Sequence, residues 1–240
     1  MIKAEQISKS FHNTKVLTNI SFEINKGDFV AVMGPSGSGK STLLYSVSGM
    51  DRISEGRVTF DGVNISQMKE DELSDLRLTK MGFVFQNAQM LKNLSVFDNI
   101  ILPGLAAKRE SAAVIRKRAS ELMKRMEIEG IEERDVREVS GGQLQRASIC
   151  RAMINDPEIL FLDEPTGALN SGAADQVLEI LEELNCSGIT IMTVTHDPRV
   201  AARAKKVLYI RDGQIAACKE LSADADRRIE LEEWLKLVNS

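Results

Sequence analysis

The run Gly34-Pro35-Ser36-Gly37-Ser38-Gly39-Lys40-Ser41-Thr42 joins an apolar stretch, Phe29–Met33, to a helix-forming one, Lys40–Ser48. Its spacing fits G-x-x-x-x-G-K-[ST]. Glycines there let backbone N–H groups turn inward around phosphate oxygens, and a helix start adds its positive dipole end. In such a loop Lys40 reaches β- and γ-phosphates, and the Ser41 hydroxyl can ligate Mg²⁺. The bland alternative is a glycine-rich turn carrying a solvated lysine.

A second run tilts the balance. Ile159-Leu160-Phe161-Leu162 reads as a buried strand that delivers Asp163 to its C-terminal end, where α/β sheets bind ligands. Asp163 is placed to hold Mg²⁺, directly or through water, and Glu164 to take a proton from an attacking water. The bland reading of this segment alone is a buried strand ending in a helix cap. Beside a phosphate cradle it supplies the metal-holding acid that the cradle needs.

A third run, Val139-Ser140-Gly141-Gly142-Gln143-Leu144-Gln145-Arg146, again sets a serine and two glycines at a helix start. That is another terminus able to receive an anion without side-chain obstruction. One chain therefore carries two phosphate-binding helix ends. Asn25-Lys26-Gly27-Asp28 formally matches a guanine-reading N-K-x-D string, but it precedes the glycine loop and reads as turn chemistry.

Taken together, these segments resemble the ATP-binding cassette (ABC) ATPases, whose signature is LSGGQ, with Val139 here in place of the usual leucine. The resemblance covers the chain to about Cys218. It implies a head-to-tail dimer in which each ATP lies between one subunit's glycine loop and the Ser140–Gln143 signature of the other. It assigns Phe11 to stacking on adenine, although tyrosine is commoner there, and places Val16 with it among the ATP contacts. It makes Gln86 the residue that meets Mg²⁺ or water and links to the transporter, and His196 the switch that contacts the γ-phosphate. One position departs: Pro165-Thr166-Gly167-Ala168-Leu169-Asn170 ends in asparagine where the family usually has aspartate.

Gly82–Gln86, Asp163–Leu169 and Val194–Pro198 look most like the branch serving lipoprotein release, macrolide export and bacitracin-type peptide resistance. In that branch the ATPase drives a separate permease, which the Ala88–Ser95 segment is expected to touch. Two other classes stay open: a soluble ABC protein acting on DNA or ribosomes, and an ATP-sensing regulatory module.

These residues need a parallel sheet to hold them. Ile2–Phe11 and Val16–Ile24 read as strands, as do Phe29–Met33, Arg57–Phe60 and Gly82–Phe85. From Asn87 to about Pro157 the pattern turns helical, with Ser95 capping Val96–Leu102, then Glu110–Met126 and Ser140–Ile154. Apolar strands at Ile159–Leu162, Ile189–Val194 and Val207–Ile210 alternate with the helix Ala173–Leu184, the pattern of a sheet covered on both faces. The expected fold is an α/β P-loop NTPase (RecA-like) core with a mixed sheet, an N-terminal antiparallel β-subdomain and an inserted helical subdomain. The expected division is 1–86 with 158–218 for the core, 87–157 for the helical subdomain and 219–240 for a tail. In that tail Leu231, Trp234, Leu235 and Val238 form a helical stripe suited to packing on the chain's own core. An interface or a membrane surface is the alternative, although Glu230, Glu232 and Glu233 disfavour anionic lipid.

Composition agrees. A chain of 240 residues with 43% hydrophobic content can bury a sizeable core. Its 31 basic against 35 acidic residues leave a net charge of −4, without the field of a general nucleic-acid binder, so no nucleic-acid partner is expected. The basic run Arg109, Arg116, Lys117, Arg118, Lys124 and Arg125 reads as a solvated helix face. The three cysteines, Cys150, Cys186 and Cys218, are far apart and read as small core residues of a reducing compartment. No stretch reaches the roughly 20 apolar residues of a membrane span. The expectation is a chain held at the cytoplasmic face of the membrane by a separately encoded permease.

Overall fold

The computed structural model describes residues 1–12, 14–222 and 226–239. In chain order its strands are β1 (Ile2–Phe11), β2 (Thr14–Ile24), β3 (Phe29–Met33), β4 (Glu55–Phe60), β5 (Val63–Asn64), β6 (Met81–Phe85), β7 (Ile159–Asp163), β8 (Thr190–Val194), β9 (Lys206–Arg211) and β10 (Gln214–Glu220). The helices are α1 (Lys40–Val47), α2 (Glu70–Lys80), α3 (Val96–Ala107), α4 (Ala112–Arg125), α5 (Gly141–Met153), α6 (Ser171–Cys186), α7 (Pro198–Ala201) and α8 (Arg227–Asn239).

One sheet runs β10-β9-β3-β8-β7-β6; the other, in the order β2-β1-β4-β5, is antiparallel. In the larger sheet β9, β3, β8, β7 and β6 are mutually parallel and β10 is antiparallel to β9. This is the α/β P-loop NTPase fold with its mixed sheet and N-terminal antiparallel sheet.

Why the parallel strands read as unbroken apolar runs is visible in what each residue touches. Ala31 and Met33 of β3, Leu160 and Leu162 of β7, and Val207 and Tyr209 of β9 face one hydrophobic cluster with α3, α5 and α6 residues. Val30, Val32, Ile159, Phe161, Leu208 and Ile210 face a second, shared with α1 and the antiparallel sheet. The period of two is intact, but both faces are dry, so alternation in polarity disappears.

Parallel strands also put their C-terminal ends on one edge. The glycine loop leaves β3, Asp163 ends β7, His196 follows β8 and Gln86 follows β6. β8 lies between β3 and β7.

Several local expectations need correction. α3 does not stop at Leu102; it runs through Pro103 to Ala107, while Gly104 gives the close approach to Ile115 of α4 that a side chain would block at 2.7 Å. Neither α2 nor β10 stands out in the sequence pattern. Only Leu73 and Thr79 of α2 are buried, and β10 is an edge strand with a weak in–out pattern. Cys150 is buried, but Cys186 and Cys218 are exposed and so are not core residues. Asn25–Asp28 is the turn between β2 and β3, closed by Asp28 N–H donating to Asn25 O at 3.1 Å and Asn25 N–H donating to the Asp28 carboxylate at 2.9 Å.

The tail stripe packs on the chain's own core. Leu231 is fully buried, Trp234 stands edge-on to Tyr209 at 6.3 Å, and Leu235 and Val238 join the same cluster. Most basic residues on and beside α4 are exposed, with Lys117 paired to Glu121 and Arg109 to Asp75. Arg118 instead is half-buried, paired with Glu110 and Asp156 and donating to Ile154 O at 2.8 Å, so it is not part of the solvated face. Among the described residues, no helix is long and apolar enough to cross a membrane.

Candidate functional site

The glycine loop is held open by contacts that only glycine permits. At Gly34 (φ 149°) an added Cβ would stand 2.0 Å from the Ile210 carbonyl oxygen of β9, so any side chain would drive the loop off the sheet. Gly39, at φ 100°, starts α1 in a left-handed conformation with no side-chain cap, leaving the first N–H groups of the helix free. Gly213 N–H donates to the Ser38 carbonyl at 3.2 Å and pins the loop to the β9–β10 turn. Ser38 Oγ is buried without a hydrogen-bond partner, an orphan that a phosphate oxygen would satisfy.

Lys40 folds back over this loop, donating to Gly34 O at 2.9 Å and Pro35 O at 2.8 Å. Burial pushes its pKa below the ordinary lysine value, while the Glu164 and Asp163 carboxylates push the other way. An open depression of about 290 Å³ is lined by Val16, Ser36, Gly37, Gly39, Lys40, Ser41, Thr42 and Glu164. Segments distant in sequence thus meet where an anion would sit.

Asp163 lies across from the start of α1. Its Oδ1 accepts from Ser41 Oγ at 3.0 Å and its Oδ2 from the Tyr45 hydroxyl at 2.6 Å. A carboxylate and a hydroxyl at that distance form the hard-oxygen pair that suits Mg²⁺. Tyr45 lies outside the sequence motifs. The signal for it is its spacing, since position i+4 from Ser41 on a helix shares its face. Burial, then the hydrogen bond to Asp163, raises the phenol's pKa above its ordinary value.

Glu164 sits at φ 50°, in the left-handed region that a side chain of this size rarely occupies. Its N–H donates to Val194 O at 2.9 Å, tying the strained residue to β8. From there its Oε1 meets His196 Nδ1 at 2.8 Å; the histidine side chain is 70% exposed and that of Glu164 16%. Nδ1 is thus the ring nitrogen held by the carboxylate, and Nε2 is the nitrogen left for other partners.

Gln86 is exposed after β6, and its Nε2 would lie 3.0 Å from a Cβ built on Gly167, so glutamine and glutamate loop are neighbours. The backbone on both sides of Gln86 is bound to α5: Gln145 Nε2 donates to Phe85 O at 3.2 Å before it, and Arg151 donates to Ala88 O and Gln89 O at 2.5 and 2.8 Å after it. Ala88 and Gln89 both have φ near 50°, at 52° and 47°. These links join the signature helix to the Gln86 loop, and no local motif announces them.

Phe11 is 44% exposed at the end of β1, with Lys9 Nζ 4.5 Å from its ring centre. Ser140 caps α5 in a reciprocal box: its Oγ accepts from Gln143 N–H at 3.2 Å, and Gln143 Oε1 accepts from Ser140 N–H at 3.0 Å. Gly142 packs against α6, where an added Cβ would stand 2.9 Å from the Ala173 Cβ. None of Ser140–Gln143 lines the depression at the glycine loop, nor do Phe11, Gln86 and His196.

Asn170 has a local duty. It caps α6, with Oδ1 accepting from Ala173 N–H at 2.9 Å. Asparagine and aspartate are equally good at that task. Asn170→Ala is therefore expected to lower stability by about 1 kcal/mol, and Asn170→Asp to hold or slightly raise it because a negative charge suits a helix start. Urea unfolding of the three proteins decides this; equal midpoints for the alanine and parent proteins would deny the cap.

The likeness to known proteins agrees with this geometry. A family model described as ABC transporter matches residues 17–167. The chain is 43% identical over 220 residues to the macrolide export ATP-binding/permease protein MacB of Mannheimia succiniciproducens, covering 90% of this chain and 34% of that protein. The MacB protein of Neisseria gonorrhoeae is 41% identical over 223 residues, with the same coverage of 90% and 34%. The chain thus spans about a third of the length of the curated relatives it matches. Among solved structures, a dimeric post-hydrolysis state of the ATP-binding cassette MJ0796 bound to ADP and Pi superposes with TM-score 0.87 at 35% identity, covering 93% of this chain and all of that one. The structure of cbiO1 from Clostridium perfringens, part of the ABC transporter complex cbiONQ, gives TM-score 0.84 at 27% identity, covering 99% of this chain and 94% of that one. The chain belongs to the ABC transporter family, as an ATP-binding cassette of the α/β P-loop NTPase fold.

Proposed function

We propose that this chain hydrolyses ATP and couples the reaction to a membrane permease that exports or extracts an amphiphilic substrate, such as a macrolide, an antimicrobial peptide, a lipid or a lipoprotein. The observation that carries the reading is the convergence of Lys40, Ser41, Asp163 and the Glu164–His196 pair at one edge of the parallel sheet. Backbone N–H groups of the glycine loop and the Lys40 ammonium receive the β- and γ-phosphates. Phe11 and Val16 take the adenine side. Ser41, Asp163 and Gln86 would hold Mg²⁺, which when bound neutralises charge on the phosphate oxygens. Glu164 orients and deprotonates the attacking water, and His196, held by Glu164 through Nδ1, contacts the γ-phosphate.

The signature supplies the remaining donors from a second copy. Within Ser140–Gln143 the cap takes the N–H groups of Ser140 and Gln143 and leaves those of Gly141 and Gly142 to donate, and the segment lies outside its own chain's depression, so head-to-tail pairing completes two equivalent sites. The dimeric cassette among the structural relatives supports this arrangement. Residues 87–157 act as the helical subdomain on the 1–86 and 158–218 core, with 219–240 as a tail. A groove of about 380 Å³ between α2, β6, α3 and α5, lined by Met50, Leu78, Phe83 and Phe85 together with Arg77 and Arg151, suits a mainly apolar permease segment beside Ala88–Ser95. The relatives' names pair ATP-binding with permease, which supports coupling to a permease; on that reading the cassette is held at the cytoplasmic face of the membrane.

Purified protein should hydrolyse ATP only with a divalent cation. Lys40→Ala should weaken ATP binding about tenfold or more, the loss of a hydrogen-bonded charge. Calorimetric titration checks it; unchanged affinity would remove Lys40 from the site.

A further inference from the structure

Both oxygens of Asp163 are engaged, and by one helix. Ser41 and Tyr45 stand four residues apart on the same face of α1, one on Oδ1 at 3.0 Å and the other on Oδ2 at 2.6 Å. The Tyr45 ring is not free to swing: it is half-buried and tilted against Phe85 at 6.5 Å, and Phe85 is the register partner of Asp163 in the β6–β7 pair. Phe85 in turn lies parallel to Phe83 at 6.4 Å, and Phe83 to Phe161 at 5.4 Å. A row of aromatic rings thus fixes the hydroxyl beside the carboxylate.

Resting on the reading of this site as a cassette for ATP with Mg²⁺, we propose that Tyr45 is a positioning residue that commits Asp163 to offer one oxygen, Oδ1, to the divalent cation beside Ser41. Mg²⁺ demands near-octahedral geometry from single oxygens and keeps its waters, whereas Ca²⁺ accepts both oxygens of a carboxylate in a looser shell. With Oδ2 bound to a hydroxyl, two-oxygen coordination must first break a charge-assisted hydrogen bond. Tyr45 therefore favours Mg²⁺ over the larger cation and holds Asp163 in place before the metal arrives. It touches neither nucleotide nor metal. Its hydroxyl acts through Asp163 alone.

Tyr45→Phe deletes one oxygen and keeps the ring, so the aromatic row survives and the melting midpoint should stay within a few degrees. The test is calorimetric binding of ATP to the full chain carrying Glu164→Gln, with and without Tyr45→Phe, in EDTA, in Mg²⁺ and in Ca²⁺. In EDTA the two proteins should bind ATP equally, within about twofold. In Mg²⁺ the Tyr45→Phe protein should lose about tenfold of the tightening that the metal provides, the worth of one hydrogen bond to a charged group. Its preference for Mg²⁺ over Ca²⁺ should shrink by a similar factor. Because each affinity is compared with the same protein's value in EDTA, a general loss of stability does not imitate this pattern. Equal metal tightening and equal preference in the two proteins would overturn the proposal. Failure of the Glu164→Gln protein itself to bind ATP in any of the three buffers would instead overturn the nucleotide reading on which it rests.

Discussion

Glu164→Gln should bind ATP as tightly as the parent chain and hydrolyse it about 100- to 10,000-fold more slowly, the span that a positioned general base contributes. The reasoning is geometric. Glu164 is the carboxylate of the depression not already given to Ser41 and Tyr45, and its left-handed backbone, tied to Val194, aims it at that space. Glutamine keeps the shape and can still meet His196, but it cannot take a proton. With hydrolysis stalled and binding intact, ATP should accumulate between two copies, so the variant should elute as a dimer in ATP with Mg²⁺ and as a smaller species without nucleotide. Single-turnover hydrolysis and size-exclusion chromatography measure the two halves. Undiminished turnover would remove Glu164 from the chemistry.

Why these residues are legible in the amino-acid sequence is a matter of how the chemistry is encoded. A phosphate loop must be glycine-rich over consecutive residues, because the backbone itself is the ligand, and so Gly34–Thr42 is written contiguously. Asp163 and Glu164 follow four buried apolar residues, a pattern forced by a strand covered on both faces. The reciprocal cap of α5 by Ser140 and Gln143 is likewise local. What stays hidden depends on distant partners. Tyr45 looks like one more residue of α1 until β7 brings Asp163 beside it. Arg151 and Gln145 look like ordinary helix residues, yet they hold the backbone on both sides of Gln86. α2 escapes because a helix that buries little has almost no apolar period to detect, and β10 because an edge strand alternates only weakly. Pro103 misleads for the opposite reason: a strong local stop signal is overridden by packing of α3 on α4 and α5. For Asn170 the structure changes the question, since its side chain is already occupied as the cap of α6.

Ser140→Arg separates the two phosphate-binding ends. In one chain the depression is lined by residues from Val16 to Thr42 together with Glu164, and none of them belongs to the signature. Adding a long cation at Ser140 therefore leaves the ATP contacts of the same chain untouched, and its affinity for ATP should stay within about twofold. Loss of the N-cap costs about 1 kcal/mol of stability, too little to unfold a domain of this size. Hydrolysis is a different matter. If the second copy's α5 start must close on the γ-phosphate, arginine at that position obstructs closure and removes its donors from the transition state, a loss of about 100- to 1,000-fold. The paired outcome is what discriminates. Lys40→Ala should lose binding and turnover together, whereas Ser140→Arg should keep binding and lose turnover and ATP-induced dimerisation. A Ser140→Arg protein that turns over at the parent rate would mean that the signature is not a ligand at all. One that loses ATP binding as steeply as Lys40→Ala would place the signature in its own chain's site and end the head-to-tail model.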